Sequence, residues 1–299
     1  MEEEARRFRS CRGTDIVRTE LECLPCFFRQ INNTLTYAGV NGEQGRGIAR
    51  RAELIIENAS LDEIPARITT RIYRLLRKET GKDPYKQIKE TYNRIALERL
   101  PGLRQKAKET PDRLAGSVRV AIAGNVIDFG IYETIDLDHS LSESFRLSLP
   151  QAAYRNFSRA VGTARRILYL CDNAGEIVFD RVLIETLRDM GKDVIAAVKG
   201  APVINDAVLD DAVAAGLHEC ATVIDNGNDG IGTLLETCSP QFMDAYRSAD
   251  LIISKGQANY ETLAQTGDAR TYFLFKVKCP VVASFLKRNN GDIMLMGNG

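Results

Sequence analysis

"LYLCDNAGEIVFD", Leu168 to Asp180, decides the fold. Leu168, Tyr169 and Leu170 read as the end of a buried parallel strand. "IVFDRVLIETLRDMG" then carries apolar residues at helical spacing, with Gly191 as its stop. Asp172, Asn173, Gly175 and Glu176 therefore fall at a strand-to-helix crossing. In doubly wound sheets ligands bind at such crossings, outside the carboxyl ends of the strands.

The same alternation extends outward from this stretch. Strand-like runs recur at Val118–Ala123, "RRILYL", "KDVIAAVKG", "HECATVIDNG" and "ADLIISKGQAN". A sixth lies within "RTYFLFKVKCPVVASFL". Helical segments lie between most of them, which predicts an α/β fold with a mainly parallel sheet and helices on both faces. Upstream the pattern is helical only. "CLPCFFRQINNTLTYAGV", "GIARRAELIIENA", "IPARITTRIYRLLRKETG" and "DPYKQIKETYNRIALERL" are amphipathic, with Pro65 and Gly81 bounding the third. Asp83 is placed to cap the fourth, with Pro84 at its first position. These patterns divide the chain into a helical subdomain, residues 1–115, and an α/β core, residues 116–299.

The composition, 44% hydrophobic over 299 residues, is ample for a buried core. Lys+Arg and Asp+Glu both number 40, so no bulk charge calls for nucleic acid or an anionic membrane. No apolar run approaches the ~20 residues that span a bilayer. "MEEEARRFRS" lacks the apolar stretch of a signal peptide. A cytoplasmic protein is expected. The 7 cysteines, odd in number and dispersed, argue against a disulfide framework. His occurs only at 139 and 218, so any metal must be held mostly by oxygen.

Each strand of the second half ends in a polar or glycine-rich cluster. The first gives Gly124, Asn125 and Asp128, and the second Asp172, Asn173 and Glu176. The third gives Lys199, Asn205 and Asp206, the fourth Asp225 to Asp229, and the fifth Lys255, Gly256 and Asn259. One cluster is ordinary turn chemistry. Five on one edge of a parallel sheet can converge on one pocket. Asp172, Asn173 and Asp206 offer hard oxygen ligands suited to Mg²⁺ or Mn²⁺. Lys255, in a Gly-flanked loop, offers a point positive charge for phosphate. The plain alternatives are a helix cap for Asp172 and a surface lysine for Lys255.

The words "AGNVIDFG", "CDNAGEIVFD", "VKGAPVINDA", "NGNDGIGTLLE" and "ISKGQANYETL" resemble, in order, the damage-control phosphatases, also catalogued as domain of unknown function eighty-nine. "ECLPCFFRQ" is similar to the start of its prokaryotic and archaeal branch. The resemblance implies a helical subdomain on a three-layer α/β/α core and hydrolysis of small phosphorylated metabolites. It implies a divalent metal, Mn²⁺ or Mg²⁺ foremost with Ni²⁺ and Co²⁺ as further candidates, on Asp172, Asn173 and Asp206. Lys255 becomes the phosphate contact. Ala258 stands where the family pattern has Gly, which adds a methyl near the substrate loop. Asp172 and Glu176 are candidates for the base, and Asp172 for a direct nucleophile. Gly124, Asn125, Asp128 and Asn259 are expected to hold substrate.

Cys23 and Cys26 form a CxxC at a helix start, where the helix dipole can activate a thiol. No second pair completes a Cys₄ zinc site, so packing thiols, a redox role and an occasional disulfide all remain open. Two other functional classes compete. A Rossmann-type transferase would need a glycine fingerprint that "AGNVIDFG" lacks. A non-catalytic metal- or phosphometabolite-binding regulator would keep the pocket without turnover.

Overall fold

Residues 16–125 and 149–298 are described by the computed structural model of the chain. Six strands form one sheet: β1 (Arg166–Leu170), β2 (Asp193–Val198), β3 (Thr222–Asp225), β4 (Leu251–Lys255), β5 (Thr271–Lys276) and β6 (Ile293–Gly297). Their order is β3-β2-β1-β4-β5-β6. Every neighbouring pair is parallel except β5 and β6. The expected doubly wound α/β sheet is therefore present. Its switch point lies where β1 has β2 on one side and β4 on the other.

Side chains alternate across the sheet as the pleat requires. Ile167 and Tyr169 of β1 enter one buried cluster, Leu168 and Leu170 the other. The first cluster is covered by α4 (Lys86–Glu109), α5 (Arg113–Gly124) and α7 (Glu176–Asp189), the second by α9 (Pro240–Ser248) and α11 (Pro280–Leu286). α6 (Gln151–Thr163) and the short helices α8 (Leu209–Ala214) and α10 (Gln257–Leu263) complete the layers. α7 is not a surface helix. All but one residue from Glu176 to Leu187 are buried, because α4 and α5 roof the helix while the sheet floors it.

Upstream, α1 (Cys23–Tyr37), α2 (Gly42–Glu57) and α3 (Pro65–Thr80) enclose their own apolar cluster around Phe27, Ile31, Ile48 and Ile72. Pro65 starts α3 and Gly81, at φ 68°, ends it, as expected. Asp83 accepts from the Tyr85 N–H at 2.9 Å just before α4 begins. α3 is tied to the core through Arg74 and Arg77, both paired with Asp229. Arg77 also donates to the Pro202 carbonyl at 2.9 Å. One apolar cluster includes Leu100 and Leu114 as well as Val118 and Ile177, so it spans both sides of residue 115.

One strand reading is corrected, and the sixth expected strand is found within its stretch. Val118–Ala123 lies inside α5, which Asp112 caps by accepting from the Ala115 N–H at 3.1 Å. A short, mostly apolar run fits a buried helix as well as a buried strand, and α5 is sandwiched between α4 and α7. "RTYFLFKVKCPVVASFL" is β5 followed by α11, which Cys279 and Pro280 start. The antiparallel edge strand β6 was not expected; "IMLMG" is a short apolar run with no alternation to mark it. Among the described residues no helix is long and apolar enough to cross a membrane.

Candidate functional site

β1 delivers Asp172 and Asn173 to the switch point, and the loop after β2 brings Asp206 against them. Asn173 and Asp206 form an isolated antiparallel bridge. The Ala174 N–H donates to Asn205 O at 2.9 Å and the Ala207 N–H to Asp172 O at 2.8 Å. The two loops are thus stitched through backbone, and three oxygen-bearing side chains sit on adjacent stitches. Ile204, just before them, is held at φ 41°. That conformation is a genuine outlier for a β-branched residue, costing ~1–3 kcal/mol. From β4 comes Gly256 at φ 81°, where any Cβ would collide with the Asp172 carboxylate. The carboxylate is seated in the space that glycine leaves.

The site is buried and acidic. Asp172 is 8% exposed, Asp206 5% and Glu176 0%. Burial, then Glu176, then Asp206 hold the Asp172 carboxyl well above the usual carboxylate range, while Lys278 and Lys199 pull it down. Asp172 Oδ2 accepts from Asn125 Nδ2 at 3.2 Å and Asn173 Nδ2 at 3.1 Å. Glu176 Oε2 accepts from the same two amides, at 2.9 Å and 3.3 Å. Lys199 lies 3.4 Å from Asp206 Oδ2 and donates to the Gly232 carbonyl.

Several expected substrate contacts are spent inside the protein. Lys255, fully buried, donates to Ala121 O at 2.9 Å, Glu176 Oε1 at 2.5 Å and Asp180 Oδ1 at 2.6 Å. Those three bonds use all three ammonium hydrogens. Burial drags the lysine down, but Asp180 and Glu176 more than offset it and hold it above its ordinary value. Among the described residues the lysine is a buried strut beneath the acids. Asp180, one helical turn beyond Glu176, also accepts from Tyr169 Oη at 2.7 Å. Burial pushes its carboxyl up to about 7 against the pull of Lys255.

Asn259 donates to Lys255 O at 2.7 Å and accepts from Thr233 Oγ1 at 2.7 Å, so it braces two loops instead of facing a substrate. Asn125 Oδ1 takes the Lys276 N–H at 2.9 Å, which fixes the amide whose donors reach Asp172 and Glu176. Gly124 ends α5 where a Cβ would stand 2.7 Å from Phe179 Cβ; close helix packing is its visible role. Asp128 lies outside the described residues. Asp229, counted in the fourth strand-end cluster, is held by Arg74 and Arg77.

Sequence reading missed Asp180 and Lys278. Two acids four apart in "EIVFD" share one helix face, and that signal was available. Lys278 had no such mark, since only the turn after β5 brings its charge to bear on Asp172.

The CxxC pair opens α1. Cys23 packs into the α1–α3 cluster, and burial pushes its thiol up to about 11, with Cys279 and Glu261 adding to the rise. A thiol so raised is protonated at neutral pH and is not an activated nucleophile. Cys26 accepts from Gln30 Nε2 at 3.3 Å.

Glu261, on α10, is pushed by burial from 4.5 up to about 7, against the hydrogen bond that Gln257 donates. The sign follows directly. The folded state binds this proton more tightly than the unfolded state, so this group's contribution to stability is largest below pH 4.5 and falls as pH rises to about 7. Glu261→Gln is expected to stabilise the protein at pH 8 by up to about 3 kcal/mol and far less at pH 5. Urea midpoints at both pH values check it. An equal gain at both would assign the effect to packing rather than ionisation.

Comparisons with known proteins agree with one another. The family model for the damage-control phosphatase ARMT1-like domain matches residues 19–294. The chain is 34% identical over 286 residues to "Damage-control phosphatase PH1575" of Pyrococcus horikoshii, covering 94% of this chain and 99% of that one. It is 39% identical over 290 residues to the uncharacterized protein MJ0202 of Methanocaldococcus jannaschii, covering 94% and 95%. A crystal structure of a DUF89 family protein, PH1575, from Pyrococcus horikoshii superposes with a TM-score of 0.86 at 33% identity, over 94% of this chain and 99% of that one.

Proposed function

The chain belongs to the damage-control phosphatase ARMT1-like family, and from that premise we propose that it is a metal-dependent phosphatase. It hydrolyses phosphomonoesters of small metabolites, sugar phosphates or damaged phosphometabolites. The observation that carries the metal reading is the crowding of buried acids at the switch point. Asp172 is held far above its ordinary value by burial, Glu176 and Asp206. Buried like charges need a counter-cation, and the donor set is all oxygen, which suits Mn²⁺ or Mg²⁺ better than softer ions. The Gly256 cradle fits this reading, because it lets the Asp172 carboxylate sit where the strand ends converge.

Asp172, Asn173 and Asp206 would hold the ion. Once bound, a divalent cation supplies positive charge that polarises phosphorus and neutralises phosphoryl oxygens. The remaining work falls to the chain itself. Lys199 and Lys278, the two lysines whose charge bears on Asp172, add positive potential for the phosphate. Asn205 Nδ2 is buried with no hydrogen-bond partner among the described residues, a donor suited to a substrate oxygen. Asp172, the least buried of the acids facing Glu176, takes the proton of the attacking water as its oxygen bonds phosphorus. The ester oxygen leaves and takes up a proton from solvent. Glu176, anchored by Lys255, holds the Asn125 and Asn173 amides in place.

The test uses the full chain stripped with a chelator. p-Nitrophenyl phosphate is expected to persist without metal and to be hydrolysed on adding Mn²⁺, with Mg²⁺, Ni²⁺ and Co²⁺ compared. A panel of sugar phosphates then ranks substrates. Mn²⁺ binding with no turnover across the panel would make the protein a regulator, and turnover without metal would remove the cation from the reaction.

A further inference from the structure

A buried polar network between α4 and α8 reaches both loops that carry the proposed ligands. Lys89 Nζ, 3% exposed at the side chain, pairs with Asp83 Oδ2 at 3.0 Å and Asp211 Oδ2 at 3.2 Å. Asp211 Oδ2 also accepts the Val208 N–H at 3.0 Å. Asp211 Oδ1 accepts from Asn93 Nδ2 at 2.8 Å, and Asn93 Oδ1 accepts the Gly175 N–H at 2.6 Å. Asn93 and Asp211 are 4% and 5% exposed. The two ends of the network land two residues beyond Asn173 and two residues beyond Asp206.

We infer that Asn93 and Asp211, with Lys89 behind them, are positioning residues that set the spacing between the loop carrying Asp172 and Asn173 and the loop carrying Asp206. This rests on the metal-site reading above. The backbone stitches between the loops fix register at Asp172–Ala207 and Ala174–Asn205. Beyond them the Lys199–Val208 bridge holds the Asp206 loop to β2, and the Asn93 amide of α4, joined to the Asp211 carboxylate of α8, ties the outer ends of the two loops to each other. Groups that orient ligands from outside typically change metal affinity or activity by roughly 10–100-fold when altered. The amide–carboxylate pair also has a direction: Asn93 gives a hydrogen to Asp211 and accepts one from Gly175. Asn93→Asp keeps the acceptor for Gly175 but sets two carboxylates face to face. Asp211→Asn keeps an acceptor for Val208 but sets two amides together. Exchanging both restores one donor and one acceptor with the charge conserved.

The experiment measures Mn²⁺ affinity of the metal-free full chain by calorimetry, with p-nitrophenyl phosphate hydrolysis against Mn²⁺ concentration alongside. Asn93→Asp and Asp211→Asn are each expected to weaken Mn²⁺ binding at least about 10-fold, and the double exchange to recover it to within about 3-fold of wild type. The two singles approach the network from opposite ends, so either one that folds carries the test. Ser117→Ala is the control. It removes the buried Ser117–Thr186 hydrogen bond of 2.7 Å between α5 and α7, and should lower stability while leaving Mn²⁺ affinity unchanged. Folded singles that bind Mn²⁺ as wild type, or a double exchange that recovers nothing, would overturn the inference. A wild type that binds no divalent cation removes the metal reading itself, and with it this inference.

Discussion

Asp172→Asn is expected to abolish Mn²⁺-dependent hydrolysis and, in the same variant, to raise the stability of the metal-free protein at pH 8. The two signs come from one cause. The loss of a ligand and proton acceptor removes several kcal/mol of transition-state stabilisation, on the order of 10³-fold in rate. The gain arises because the Asp172 carboxyl is held well above its ordinary range by burial, Glu176 and Asp206. A group raised in this way costs the fold stability once pH exceeds its unfolded value, and the cost grows until pH passes the folded value. An amide of the same shape does not ionise. It can still accept from Asn125 and Asn173, and it fits against Gly256 as the carboxylate does. Thermal midpoints with chelator and with Mn²⁺ read both effects. Wild type should gain on adding Mn²⁺ at pH 8, while the variant should start higher and gain little. An inactive variant that is less stable than wild type in chelator would contradict the picture of an acidic cluster waiting for a cation. Full Mn²⁺ affinity in it would remove Asp172 from the ligand set.

Lys255→Met is expected to cost the fold about 3–5 kcal/mol, because it leaves Glu176 and Asp180 buried without their shared cation. That is a large share of the ~5–15 kcal/mol that a typical domain possesses. The deficit should shrink as pH falls, since unpaired buried carboxyls take up protons and become neutral. Activity should fall with it, because Glu176 no longer anchors the Asn125 and Asn173 amides. Urea unfolding from pH 5 to pH 8 decides the matter. A Lys255→Met protein as stable as wild type at pH 8 but inactive would return the lysine to the role its sequence context suggested, a phosphate contact.

The case of Lys255 shows where sequence reading stops. The strand ends were legible because Asp, Asn and Gly punctuate apolar runs. Parallel pairing then places those runs on one edge, so Asp172, Asn173 and Asp206 do converge. What a polar residue does at that edge depends on which way it faces, and one residue of register decides that. Lys255 is still within β4 and faces α7, not the cleft; its fully buried side chain follows from that. Asn259 sits on the inner side of α10 and turns back to the strand it follows. Val118–Ala123 failed for a different reason. A helix roofed and floored by apolar neighbours loses its polar stripe, and with the stripe goes the periodicity that separates helix from strand. Asn93 and Lys89 looked like ordinary polar residues of an amphipathic helix; only the packing of α4 onto the loops gives them partners.

The enclosure of α7 above and below sets two clocks within one acidic cluster. Local opening draws on segments with few buried contacts, and a helix covered above and below has no such route short of general unfolding. Glu176 and Asp180 are therefore fixed for the lifetime of the folded molecule. Asp172 and Asp206 are carried by loops instead, whose exchange is open to faster local opening. Slow opening and faster adjustment thus fall to different parts of one acidic cluster, the helix and the loops.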